Sequence, residues 1–351
     1  MYLHVGVVAS TKVDIGGGSV YETAILESLE LLEGSDYRFT IITKQVKGFS
    51  APGVVDKVMA PHLLASTLKL DLLYFLSPIF AQGNWNGVPY ICTLWDLGVI
   101  ELSHFPEFSG EYGNRIYSSL SFSLPRAFRV VTDSNATKRG AIQSFSLMPE
   151  KVVPLGLPLP RDTVASQSWH RKVPGTIIYP AKYWPHKNHE VLFRAVRLLR
   201  KSEEEISLIL TGIDASDQEP LAERISDYGI TDNVEIHGRL SRSDTLALIS
   251  TSKTLAMPTV LGPTNYPPLE AMALGTNVVM SSVHEYDLVL PDSVRVVDPF
   301  DSEKWANELR HSLLSKNPPP IATQMDPIRT STSIERMLLA FERDRSLWIK
   351  V

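Results

Sequence analysis

Short β-branched runs alternate along the chain with longer segments of helical periodicity, and they do so in two sets. The first set is LHVGVV from Leu3, RFTIIT from Arg38, DLLYFL from Asp71, VPYICT from Val88, FRVVT from Phe128 and KVVP from Lys151. The second is GTIIYP from Gly175, ISLILT from Ile206, NVEIHG from Asn233, KTLAM from Lys253, TNVVM from Thr276 and SVRVV from Ser293. Between such runs lie segments like NHEVLFRAVRLLR from Asn188, where Val191, Leu192, Ala195, Leu198 and Leu199 recur at helix spacing. Strand, helix, strand repeated in this way predicts a parallel sheet covered on both faces, and two sets predict two such bodies. The fold class expected is therefore α/β, with two Rossmann-like doubly wound domains facing a central cleft that gathers the carboxyl ends of both sheets.

The joint falls at PLGLPLP, Pro154 to Pro160, because a proline-rich stretch continues neither a helix nor a central strand. This divides the chain into residues 1–157, residues 158–330, and a last periodic segment, 331–351, which fits either domain and is able to cross back to the first. A length of 351 residues agrees with two cores rather than one. With 44% hydrophobic and 21% charged residues the chain has the composition of a soluble globule. A net charge of −5 gives no electrostatic footprint for nucleic acid. The single cysteine, Cys92, excludes an internal disulfide framework and fits a reducing compartment. The opening run Met1 to Ser10 is broken by His4 and followed by Lys12 and Asp14, so neither a signal peptide nor a membrane span is expected, and the expected location is cytoplasmic.

Three turns carry candidate chemistry. DIGGGS, Asp14 to Ser19, follows the first strand and precedes a helix expected near Val20. Its glycines permit left-handed angles and close approach to an anion at a helix start; a tight turn without a ligand needs glycine equally. Tyr21 stands where a third glycine would complete a dinucleotide fingerprint, which argues against a nicotinamide enzyme. YPAKYWPHKNHE from Tyr179 sets Lys182 and Lys187 about a strand-to-helix turn, as cations for a diphosphate or as solvated side chains. His186 and His189 in the same turn lack the carboxylate or thiolate set of a tetrahedral metal site, and no metal is expected.

The third turn is VLGPTNYPPLEAMALGTNVV from Val260. Pro267 and Pro268 suit a helix start but donate no hydrogen bond, so any anion contact there falls to the amides of Thr264, Asn265, Tyr266 and Leu269. Glu270, placed by the pattern in the first helical turn, has two readings: stabilising the helix dipole, or accepting hydrogen bonds from two adjacent hydroxyls such as those of a ribose. Spacing alone does not separate them.

Taken in order, the segments GGGSVYETAILESL, TLWDLGVIELSHFPEF from Thr93, VVTDSNATKRGAI from Val130, YPAKYWPHKNHEVLFRAV, VEIHGRLSRSDTLALIS from Val234 and GPTNYPPLEAMALGTNVV resemble the retaining glycosyltransferases of family 4, which have the GT-B fold. The Trp-Asp-Leu and Trp-Pro-His-Lys-Asn-His versions look like the branch that builds bacterial surface polysaccharides such as O-antigens. The resemblance implies that Gly16, Gly17 and Gly18 approach the donor phosphates and sugar. It implies that Lys187 is the phosphate-binding lysine, with Lys182 where an arginine is commoner, and that Glu270 holds the nucleotide ribose. Arginine and lysine differ in fork geometry, so the grip on the diphosphate differs accordingly.

Two departures accompany it. Gly262 stands at the first position of the family's Glu-x7-Glu motif, where an acid usually contacts the transferred sugar. Trp95 stands where many relatives carry a histidine before Asp96. Asp96, Lys182 and Lys187 are the residues expected to act on the reacting groups; Asp96 also reads as a strand-end turn residue. Trp95 and His104 are assigned to the acceptor side, with a surface or packing role for His104 as the alternative. Asn135-Ala136-Thr137 forms a sequon, read here as a helix start.

The resemblance implies a reaction that moves a sugar from a nucleotide-diphosphate donor to a hydroxyl of a glycan or polyprenyl-linked glycan, with retention and without cofactor or metal. A lipid-linked acceptor would bring the protein to the inner face of a membrane, although no basic amphipathic segment announces it. A catalytically silent GT-B subunit, and an epimerase or phosphorylase acting on nucleotide sugars, are the alternatives.

Overall fold

The computed structural model describes residues 2–9, 16–34, 36–43, 68–77, 87–165, 171–200, 205–262, 264–319 and 327–348. The chain divides into two compact units, one of Met1–His104, Phe108–Pro160 and Met325–Val351, the other of Phe105–Glu107 and Arg161–Gln324. The division at Pro160 closes the proline-rich joint, and three residues from the first half of the sequence, Phe105–Glu107, pack with the second unit.

The first unit is built on β1 (Leu3–Ala9), β2 (Tyr37–Thr43), β3 (Leu72–Phe75), β4 (Tyr90–Leu94), β5 (Arg129–Thr132) and β6 (Val152–Pro154), in spatial order β2-β1-β3-β4-β5-β6. Every pair is parallel, β1 and β2 running in register from Leu3 beside Tyr37 to Ala9 beside Thr43. Helices on this sheet include α1 (Gly17–Glu30), α2 (Gly98–Glu101), α3 (Gly110–Arg126), α4 (Asn135–Phe145) and, from the chain's far end, α11 (Pro327–Trp348). Phe341 of that last helix meets Phe128 edge to face at 5.2 Å, and Arg345 pairs with Asp71.

The second unit holds β7 (Val173–Pro180), β8 (Ser207–Thr211), β9 (Val234–Ile236), β10 (Ser252–Met257), β11 (Asn277–Ser281) and β12 (Val294–Val297), in order β12-β11-β10-β7-β8-β9 and again wholly parallel. Its helices are α5 (Arg161–Ala165), α6 (His189–Arg200), α7 (Gln218–Asp227), α8 (Arg242–Thr251), α9 (Tyr266–Ala273) and α10 (Ser302–Leu314). The central strands are apolar because helices cover both faces: β4 and β11 are buried at all five positions. All twelve runs read from the pattern become these strands.

In each sheet the strand order reverses once. The chain winds from β7 out to β9 and then returns to the other side of β7 as β10, so the crevice at the carboxyl ends of β7 and β10 is the switch point where such sheets take ligands.

Candidate functional site

The turn after β7, Ala181 to Asn188, and the turn after β10, Pro258 to Asn265, meet at that switch point and are tied together. The Val260 amide donates to the His186 carbonyl at 2.9 Å, and the Thr259 hydroxyl donates to the same oxygen at 3.0 Å. Asn188 adopts φ 53°, a left-handed angle that asparagine tolerates, and its side-chain amide donates to Pro258 O at 3.1 Å and Pro299 O at 2.7 Å. The Tyr179 hydroxyl, buried under the turn, donates to the Lys187 carbonyl at 2.6 Å. A rigid frame thus presents the half-buried Lys187.

Lys182 is less free than a solvated lysine. It lies 3.8 Å from Asp214, which also pairs with Arg239, and its ammonium sits 4.7 Å over the Trp184 ring. The two histidines have separate partners. His186 donates from its backbone amide to Glu107 at 3.0 Å and pairs with the same carboxylate through Nδ1. His189 is buried among Tyr179, Tyr183 and Phe193, the nearest ring centroid 4.7 Å away. Burial, then the charge of Lys187, lowers the His186 ring to about 4 and the His189 ring to about 3. Among the described residues no group of three or more His, Cys, Asp or Glu is gathered as metal ligands.

The turn after β11 completes the frame. The Ser281 hydroxyl donates to Thr259 O at 2.5 Å, and the Tyr286 hydroxyl accepts from Asn265 N at 3.0 Å while donating to Asn265 O at 2.7 Å. His284 Nδ1 lies 2.9 Å from the Ser281 carbonyl, so that nitrogen carries the proton. Nε2 then accepts from the Asn265 side-chain amide at 3.1 Å. Burial lowers the ring to about 4, which keeps this neutral tautomer. The Asn265 amide is therefore already engaged, contrary to its expected availability for an anion; Thr264 and Tyr266 flank it, Tyr266 buried as the first residue of α9.

The same frame explains Gly262. A Cβ built there would lie 2.3 Å from the Val283 carbonyl oxygen, and the Val283 segment is held by the hydrogen bonds just given. No acid fits at this position without moving backbone.

Glu270 is the fifth residue of α9, one place beyond the first turn in which the pattern put it, and it is buried. Its Oε1 accepts from Arg242 Nη1 at 2.7 Å. Arg242 opens α8 and also reaches Asp162 at 2.8 Å and the Thr163 hydroxyl at 2.5 Å, both in α5. Burial pushes the Glu270 carboxyl above the ordinary carboxylate range, with Arg242 pulling the other way. Burial would lower the Arg242 guanidinium too, but Glu270 and Asp162 outweigh it. The sequence offered one signal for this cluster: an arginine at a helix N-terminus has the wrong sign for the dipole and so needs an acid nearby.

In the first unit the glycine turn differs from expectation. The helix begins at Gly17, not near Val20, and of the described glycines there only Gly16 takes a left-handed angle, φ 86°. Gly17 and Gly18 are helical, and a Cβ on Gly18 would lie 2.8 Å from Cη2 of Trp95. Asp14 lies outside the described residues. Trp95 packs edge to face on Tyr21 at 6.1 Å, so the indole lies on the glycine turn. Asp96 accepts from the Gly98 amide at 2.8 Å, the turn role weighed for it, at the start of α2. His104 is exposed at the end of its segment of the first unit. Asn135 does open α4, capped by Ser134, whose hydroxyl accepts from Thr137 N.

Two parallel six-stranded Rossmann-like sheets, each wrapped by helices, define the GT-B class, and the chain has that fold. Residues 161–326 match the family described as Glycosyl transferases group 1. Among curated proteins it is 29% identical over 181 residues to the MMP alpha-(1->4)-mannosyltransferase of Mycolicibacterium hassiacum, covering 50% of this chain and 43% of that one. It is 21% identical over 192 residues to the O-antigen chain mannosyltransferase RfbU of Salmonella typhimurium, covering 55% and 53%. The matches thus span about half the length of these relatives. The solved structure of Anabaena HepE in complex with UDP-glucose matches with a TM-score of 0.63 at 15% identity, over 99% of this chain and 98% of that one. Among the described residues no helix is long and apolar enough to cross a membrane.

Proposed function

We propose that the protein is a retaining glycosyltransferase that moves a hexose from a nucleotide-diphosphate sugar to a hydroxyl of a glycan or lipid-linked glycan, without a metal, in the synthesis of a surface polysaccharide. What supports this reading is the β7/β10 switch point: the turn after β7 carries Lys187, the turn after β10 is tied to it and leads into the helix of the buried Glu270, and switch points of such sheets are where ligands bind. The mannosyltransferase relatives and the UDP-glucose complex of a like-folded protein support the substrate class.

In this reading Lys187 and Lys182 neutralise charge on the departing diphosphate as the sugar becomes oxocarbenium-like. The bond from the anomeric carbon to the phosphate oxygen breaks, the acceptor oxygen bonds to the same face, and its proton passes to the leaving phosphate. Glu270 holds the ribose. Gly16 to Gly18 approach the donor phosphates and sugar, Asp96 orients the reacting sugar or acceptor, and Trp95 and His104 serve the acceptor. With Gly262 bare, the hydroxyl usually read by an acid at that place is left to other groups.

Donor turnover with and without acceptor tests the proposal. Nucleotide release that rises when glycan acceptor is added is the expected result. Turnover indifferent to acceptor would indicate an epimerase, and none with any nucleotide sugar a silent subunit.

A further inference from the structure

Arg242 is remote in sequence from every residue assigned to the site, yet of its four polar contacts one goes to Glu270 and the other three hold the arginine against Asp162 and Thr163. Its Nη1 reaches Glu270 Oε1 at 2.7 Å, Nε reaches Asp162 Oδ2 at 2.8 Å, and Nη2 reaches the Thr163 hydroxyl at 2.5 Å and Asp162 Oδ1 at 3.3 Å. Only about a fifth of the arginine side chain is exposed, and 6% of the glutamate. These contacts use every nitrogen of the guanidinium and fix its plane, so the glutamate is approached from one direction. A carboxylate this deep keeps its charge only beside a cation, and loses its strength as an acceptor if it takes up a proton.

We propose that Arg242 is a positioning residue for nucleotide recognition: it holds Glu270 ionised and turned so that the carboxylate can read the two hydroxyls of a ribose. The inference rests on the proposed donor site. It assigns discrimination of ribose from deoxyribose to a pair of residues, Arg242 and Glu270, and gives Asp162 and Thr163 the lesser part of orienting the arginine. Removing Arg242 leaves a buried acid without its cation. The acid then neutralises, and the hydrogen bonds it accepts from ribose hydroxyls fall to those of a neutral carboxyl.

The test uses the full chain and paired ligands: the diphosphate among UDP, GDP and ADP that binds wild type, and its 2′,3′-dideoxy analogue, each measured by isothermal titration. Wild type is expected to favour the ribonucleotide by about tenfold or more, the worth of charge-assisted bonds to a carboxylate. Arg242→Met is expected to weaken the ribonucleotide about tenfold while leaving the dideoxy analogue within about twofold, so that the preference disappears. Arg242→Lys, which keeps the charge and loses the fork, is expected to restore part of the preference. Asp162→Asn, which leaves the Glu270 contact in place, is expected to keep the preference. If Arg242→Met does not fold, Arg242→Lys and Asp162→Asn still decide the matter. Equal loss of both ligands in the arginine variants, or an unchanged preference, would overturn the proposal and leave Arg242 a structural strut. Failure of wild type to bind any diphosphate would instead remove the donor site itself.

Discussion

Replacing Gly262 by alanine adds one methyl group at a point where the backbone of a neighbouring turn already lies. The new Cβ would stand 2.3 Å from Val283 O and 3.1 Å from its carbonyl carbon, about 1 Å inside the ordinary separation of such atoms. Relief requires the Val283 turn to retreat, and that turn is held on both sides. Ser281 bonds to Thr259 O at 2.5 Å, and His284 and Tyr286 bond to Asn265. Overpacking of this kind costs about 1–3 kcal/mol. Restricting the unfolded chain returns about 0.4–1 kcal/mol to the alanine variant. The net expectation is a loss of about 1–2 kcal/mol, which lowers the unfolding midpoint of a unit this size by about 2–8 °C. Calorimetry of wild type and Gly262→Ala, following the transition of the second unit, measures it. Gly262→Glu is expected to lose at least as much and to gain no donor turnover. A midpoint equal to or above that of wild type would refute the claim that backbone crowding, rather than drift, keeps this position bare.

Gly18 and Trp95 are expected to be coupled by size. Alanine in place of a helical glycine gains roughly 0.8–1 kcal/mol of propensity, which contact with the indole offsets. Gly18→Ala should therefore be more favourable in a Trp95→Phe background, by about 0.5 kcal/mol or more in a double-mutant cycle; simple additivity would contradict the contact. His189 gives a pH signature. Its folded value of about 3 lies below the ordinary 6.5, so the stability of the neutral ring is complete above about pH 6.5 and is lost as pH falls toward 3. His189→Phe keeps the aromatic surroundings without a titrating group. It should reduce the loss of stability on acidification by about 1.4 kcal/mol per pH unit between pH 6 and 4, read by urea unfolding. An unchanged slope would mean that the ring is already charged or open to water.

Every strand was legible because burial on both faces leaves a run of β-branched and apolar residues that polar helices cannot imitate. The two-unit organisation followed from the pattern's repetition and the prolines between. The helix start at Gly17 was not legible, since glycine is a poor helix former and the run read as a turn. Glu270 was found as a candidate, but its partner was not, because Arg242 belongs to a different helix and only tertiary packing brings the two to 2.7 Å. The same holds for Gly262. Its place in the motif could be read from spacing, whereas the reason for its bareness, the Val283 carbonyl, is 21 residues away along the chain. His284 and Tyr286, which secure that turn, carried no sequence signal beyond being polar in a loop.

A crystal structure of the protein with its nucleoside diphosphate tests the central claim most directly. The account predicts the pyrophosphate against Lys187 at the carboxyl ends of β7 and β10, with both ribose hydroxyls on the Glu270 carboxylate while Arg242 remains bonded to it. A diphosphate seated away from that switch point, or a ribose that leaves Glu270 untouched, would contradict it.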